Sequence, residues 1–164
     1  MAEDYQKLLT FSLGSEGYGI SILKVKEIIG MMDITQVPRT PEFIKGVINL
    51  RGKIIPVMDL RTKFGMTEQE YDERTCIIVV EVLMNGVQKL IGVVVDTVSE
   101  VVTVSNEQIE PPPEYGTHAE HNSILGIGKI KDRVVIILDI DEIFLCDEVV
   151  KIMENVNVKE GSYV

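Results

Sequence analysis

The residues best suited to chemistry are few, and their spacing argues against most of it. His118 and His121 are separated by two residues in a proline-rich loop, and Cys76 and Cys146 are isolated within apolar runs. A zinc site needs His, Cys or carboxylates clustered at ligand spacing, so the histidines read as loop residues and the cysteines as free thiols of a reducing compartment. Asp139, Asp141 and Glu142 lack the glycine and spacing of an EF-hand loop. They read instead as a helix cap, with Glu142 three residues after Asp139 as in a capping box. Gly126-Ile-Gly128-Lys129 lacks the frame of a phosphate loop. No Ser, Cys or Thr has a neighbouring His that flags a triad. No catalytic, metal or cofactor-binding residue is therefore predicted. Two features point to binding instead. Arg51 sits on a turn between apolar strands and Glu27 in a mixed apolar-charged run, so the two can pair beside a groove. The excess of Val and Ile leaves apolar residues for exposed docking patches.

These residues are positioned by a repeated β unit. Residues 46–60, Gly-Val-Ile-Asn-Leu-Arg-Gly-Lys-Ile-Ile-Pro-Val-Met-Asp-Leu, read as two strands around an Arg51-Gly52 turn, where Gly52 supplies positive φ. Pro56 predicts an edge strand or a bulge. Asp59 is placed as the N-cap of a short helix that Gly65 stops. Residues 126–140 repeat this pattern without a gap: Gly46 falls on Gly126, Asp59 on Asp139 and, beyond it, Phe64 on Phe144. Upstream, Gly19 falls on Gly92, Glu27 on Glu100 and Pro38 on Pro111. The chain is two copies of one small β unit.

Along the chain, residues 8–13 and 18–22 predict a first hairpin, and residues 25–32 either a strand or a short helix. A helical turn is expected at 41–43 with Thr40 as its cap. An acidic linker covers 66–75. Residues 76–84 and 90–95 form strands around Asn85-Gly86, the strongest short hairpin signal, and 96–104 another strand. A helix is expected over about 140–153, then a polar tail. The fold class is mainly β: two small five-stranded barrels, sharing one domain over 1–164, with a groove along their pseudo-symmetry axis. The sub-barrels span about 8–65 and 76–140, and strands can exchange between them.

With 164 residues, 45% of them apolar, the chain can bury about two-thirds of its unfolded surface without a metal or disulfide staple. A net charge of −10 disfavours nucleic acid and anionic membrane surfaces as partners, and the lack of Trp disfavours a single-strand-binding barrel. No signal peptide or membrane span is predicted.

Three stretches carry a family resemblance: Tyr18-Gly-Ile-Ser-Ile-Leu-Lys-Val-Lys-Glu-Ile28; Thr40-Pro-Glu-Phe-Ile-Lys-Gly-Val-Ile-Asn-Leu-Arg-Gly52 with Ile55-Pro-Val-Met-Asp-Leu-Arg61; and Ile91-Gly-Val-Val-Val-Asp-Thr-Val-Ser-Glu-Val101. Together, over about residues 8–144, they resemble the CheW family of chemotaxis coupling proteins. Its relatives are the regulatory domain of the chemotaxis histidine kinase and the coupling half of CheV, the alternative readings. The resemblance implies two SH3-like barrels of five strands and a non-enzymatic adaptor. It implies binding to the cytoplasmic tip of methyl-accepting receptors and to the kinase regulatory domain. It also implies a cytoplasmic protein recruited to membrane-attached receptor arrays, where kinase and adaptor barrels meet. Carried over by motif, Glu27 and Arg51 resemble the family's paired charges near partner surfaces, and Val25, Ile77 and Val101 its apolar positions at the receptor groove. Gly46, Gly52, Gly92 and Gly126 match family glycines, taken as backbone-geometry positions near those surfaces.

Overall fold

A computed structural model describes residues 5–67, 69–84, 86–111 and 123–144. Eleven strands alternate with short turns: β1 (Tyr5–Leu13), β2 (Glu16–Ser21), β3 (Val25–Gly30), β4 (Ile44–Leu50), β5 (Lys53–Asp59), β6 (Cys76–Met84), β7 (Val87–Val95), β8 (Thr97–Ser105), β9 (Ile109–Glu110), β10 (Ile124–Ile130) and β11 (Arg133–Leu138). Helical turns α1 (Leu60–Lys63) and α2 (Ile140–Ile143) follow β5 and β11. Within 25–32, Val25–Gly30 form a strand whose residues alternate half-buried and exposed, with β-branched Val25, Ile28 and Ile29 favouring the extended form. Asn85, His118, His121, Cys146 and the rest of the expected terminal helix lie outside the described residues.

The strands form two sheets, in the orders β8-β1-β2-β11-β10-β9 and β3-β6-β7-β5-β4. The halves 8–65 and 76–140 each contribute strands to both. Four ladders join them: β1 with β8 and β3 with β6 run antiparallel, and two shorter ones are parallel, Val57–Asp59 against Gly92–Val94 and Val135–Ile137 against Gly17–Gly19. They fall at equivalent places in the repeat. β5 is therefore interior, correcting the edge position that Pro56 suggests. The β7 ladder begins only at Val57, leaving Pro56 outside it.

Strand pairing leaves both sheets open, unlike the expected closed barrels. Each nevertheless bends until one edge strand runs on to the other edge. β8 continues through a 3₁₀ turn (Asn106–Gln108) into β9, which pairs with β10. Beyond β3, Thr35 pairs with Val47 of β4 through bonds of 2.9 and 2.8 Å.

The cores follow from the period-two alternation of strands. Leu9, Phe11 and Leu13 of β1 share the largest core with Ile78, Val80 and Val82 of β6, so residues of both sheets are buried together. The opposite faces of the same strands close two smaller cores, one with Ile77, Val79 and Val57, the other with Leu8, Val102 and Ile137. Burial on both faces is why β6 reads as a nearly unbroken apolar run.

Both predicted N-caps form: the Asp59 carboxylate accepts from the Arg61 N–H at 2.9 Å, and Asp139 from Asp141 and Glu142, but the Asp139 N–H donates to the Ser123 carbonyl and not to Glu142, so the capping box expected there does not close. At 41–43 the chain makes a turn closed by Ile44 N–H to Pro41, whereas Thr40 donates to the Val37 carbonyl and does not cap it. Cys76 is half-buried, its thiol donating to the Arg74 carbonyl.

The strongest polar staple joins the halves at α1. Arg61 donates twice to Asp96, through Nε at 2.8 Å and Nη2 at 2.6 Å, and Asp96 also accepts the Gly14 N–H at 2.7 Å. Burial pushes the Asp96 carboxyl up, but hydrogen bonds from Arg61 and Gly14 and the Arg61 charge outweigh it, so its pKa lies below the usual carboxylate value. A depressed folded-state pKa gives stability that is present above the unfolded value of about 3.9 and lost as pH falls through the folded one. Asp96→Asn is expected to cost about 2 kcal/mol at pH 7. Denaturant titrations should show this difference shrinking below about pH 4, and a difference constant down to pH 2 would exclude the charged staple.

Candidate functional site

The β4–β5 hairpin projects Arg51 by means of its backbone. Arg51 and Gly52 both have positive φ, 51° and 89°, as a two-residue hairpin turn requires. The Asn49 side chain accepts the Gly52 N–H at 2.9 Å and fixes the loop. The Arg51 side chain is 70% exposed and ion-pairs with Glu27 of β3. β3 and β4 are opposite edges of one sheet. This contact therefore ties an edge strand to the hairpin at the far edge, across the mouth of the bent sheet. The expected pairing of Glu27 and Arg51 is present. So exposed a pair contributes at most about 1 kcal/mol, so it shapes a surface more than it holds the fold.

Around it the other predicted residues divide. Val25 opens β3, half-buried against the central core. Ile28 beside Glu27 is 43% exposed. Ile77 is fully buried, opposite Ile29 in the β3–β6 register, so it supports this face from beneath and presents nothing to a partner. Val101 is 50% exposed, but on β8 in the other sheet. The structure thus groups Val25, Glu27 and Arg51 and leaves Val101 apart.

Sequence reasoning missed the counterpart of the ion pair. Lys131, on the β10–β11 turn, meets Glu100 of β8 at 3.0 Å. The internal repeat carries the signal, since Arg51 falls on Lys131 and Glu27 on Glu100. A cleft lined by Phe11, Val102, Val135, Lys131 and Arg133 lies beside this second pair. Another lies beside Asp59 and Tyr71, whose hydroxyl donates to the Asp59 carboxylate at 3.0 Å. Among the described residues no group of His, Cys, Asp or Glu is arranged to hold a metal ion.

The glycines serve mostly as space. A Cβ on Gly46 would sit 2.0 Å from the Thr35 carbonyl oxygen, and one on Gly126 would sit 2.8 Å from that of Glu110. These are the two points where the returning segment crosses the hairpin. A Cβ on Gly92 would meet the Ile77 side chain at 2.9 Å. Gly52 faces open space, and only its φ demands glycine.

An exposed ion pair on a small double-sheet body, with partly exposed apolar residues beside it, suits a binding module. Comparison with known proteins agrees. Residues 7–147 match the model of the CheW-like domain, and the chain belongs to that family. It is 44% identical over 151 residues to the chemotaxis protein CheW of Klebsiella aerogenes, covering 92% of this chain and 88% of that one. It is 34% identical over 129 residues to protein FrzA of Myxococcus xanthus, covering 77% and 76%. The crystal structure of the scaffolding protein TtCheW from Thermoanaerobacter tengcongensis matches with a TM-score of 0.76 and 40% identity, covering 87% of this chain and 94% of that one. The chain is thus a CheW-like adaptor of chemotaxis signal transduction, in a family of non-enzymatic scaffolds. Among the described residues no helix is long and apolar enough to cross a membrane.

Gly46→Ala should destabilise by roughly 3 kcal/mol, because neither Thr35 nor the positive φ can yield cheaply. Gly52→Ala should cost only about 1 kcal/mol. Equal losses in urea melts would contradict the crossing as the reason for Gly46.

Proposed function

We propose that this chain couples the cytoplasmic tip of methyl-accepting chemotaxis receptors to the regulatory domain of the chemotaxis histidine kinase. It acts in the cytoplasm, recruited to membrane-attached receptor arrays. The observation that carries this reading is the Glu27–Arg51 pair, which joins β3 to the β4–β5 hairpin on an exposed face with Val25 and Ile28 beside it. Apolar residues rimmed by a charge pair suit a helical partner: the apolar contact supplies affinity and the charges set register. Ile77 contributes by holding β3 from below. Val101, with the Glu100–Lys131 pair on the other sheet, belongs to a second face, so receptor and kinase need not compete for one surface. No step of covalent chemistry is assigned to the chain.

The test is co-sedimentation of the chain with a purified receptor signalling tip and the cognate kinase while kinase autophosphorylation is followed. The expected outcome is a ternary assembly whose kinase activity depends on the receptor. Arg51→Ala should weaken assembly about tenfold while the melting temperature barely moves. Wild-type assembly by a folded Arg51→Ala protein would sink the role of this face, and cooperative unfolding of that variant would reassign Arg51 to structure.

A further inference from the structure

β3 carries Val25 and Glu27, yet as an edge strand it is paired only with β6. A register shift between Val25 and Glu27 interrupts that single ladder near its start, where a bulge leaves backbone unpaired. Immediately before it, Lys24 ends a 3₁₀ turn (Ile22–Lys24), and its Nζ meets Asp141 Oδ2 at 2.6 Å. The other oxygen of the same carboxylate accepts the Leu83 N–H at 2.9 Å. One side chain of α2 thus clips the beginning of β3 to the end of β6. Asp141 is itself held, because its own N–H donates to Asp139 at 3.1 Å and its helical turn is anchored by buried Ile140 and Ile143. Lys24 and Asp141 are 31% and 29% exposed, so solvent screens this pair less than Glu27–Arg51.

The equivalent junction of the other repeat carries the same arrangement with its charges reversed. There the cation, Arg61, is on α1, the anion, Asp96, is at the β7–β8 junction, and the Gly14 N–H completes the carboxylate's bonds. Under the internal repeat Arg61 falls on Asp141, and Asp96 falls one residue before Lys24. Two unrelated charge choices at one junction point to a shared mechanical need, fastening the strand that starts there.

We infer that Asp141 is a positioning residue for the partner-binding face: through Lys24 and the Leu83 N–H it fixes the start of β3 and so keeps Glu27 within reach of Arg51. This rests on the reading of that face given above. Asp141→Asn keeps an oxygen for the Leu83 N–H and removes only the charge facing Lys24. Lys24→Met breaks the pair from the other side, and Lys24→Arg preserves it. In the full chain, amide exchange of the 25–30 peptide should quicken about tenfold in Asp141→Asn and Lys24→Met, with Lys24→Arg near wild type and β6–β7 protection unchanged. Affinity for the receptor tip and kinase should fall about fivefold in the first two variants only. Unaltered β3 exchange, or faster exchange throughout both sheets, would overturn the inference. So would a loosened β3 that binds like wild type. Unchanged binding by Arg51→Ala would instead remove the face itself, an outcome that the exchange measurement, made without partners, keeps distinct.

Discussion

The structure depends on the ladders that carry strands of one half into the sheet of the other: two parallel ones of three residue pairs each, β5 with β7 and β11 with β2, and the antiparallel pairings of β1 with β8 and of β3 with β6. Because β2 lies beside β11 and β7 beside β5, neither copy of the repeat owns a complete sheet. Taking either strand away would expose ladder groups on its new edge and uncover both faces of a strand built to be covered. The largest core adds the same constraint, since Leu9, Phe11 and Leu13 from one half and Ile78, Val80 and Val82 from the other belong to one buried cluster. One body follows from two similar sequences because each is insufficient alone.

Once the strands are exchanged, the junctions become the points that must be fastened, and charge is spent there. The Arg61–Asp96 staple is bidentate and little exposed, whereas Lys24–Asp141 is a single contact on a more open surface. The difference makes the β3 end of the molecule the more adjustable of the two. The exposed pairs Glu27–Arg51 and Glu100–Lys131 do another task. They lie across the mouths of bent sheets, where screening by water leaves them small energies, about 1 kcal/mol or less each. Stability thus resides in cores and junction staples, and the rims remain available for recognition. That division suits an adaptor, whose surface must engage partners without its fold being at stake.

Much of this was legible in the sequence because the repeat is written in residue types with few structural options. Gly46 and Gly126 mark hairpins, Asp59 and Asp139 cap the turns that follow, and Asn-Leu-Arg-Gly with Pro-Val-Met-Asp-Leu carries the family resemblance. Strand positions followed from β-branched runs and glycine turns. The pairing of Glu27 with Arg51 was anticipated, and its duplicate at Glu100 and Lys131 was readable from the same alignment. Pro56 misled, since a proline is compatible with an interior strand wherever a neighbouring ladder has not yet begun. The full burial of Ile77 was not legible, because period-two alternation sends successive residues of a strand to opposite faces but does not reveal that both faces are covered.

The sequence by itself therefore determined the duplicated β unit, its hairpins and caps, and the family to which the chain belongs. These are set by local backbone preference and by residue identities that persist in a linear pattern. Only the tertiary structure decided which strands pair in parallel, where the returning segments cross Gly46 and Gly126, and that Lys24 meets Asp141 from 117 residues away. It also decided that Val101 lies on a different sheet from Val25 and Glu27. Those relations depend on how two incomplete sheets complete each other, and that balance of long-range burial and pairing leaves no mark at any single position in the chain.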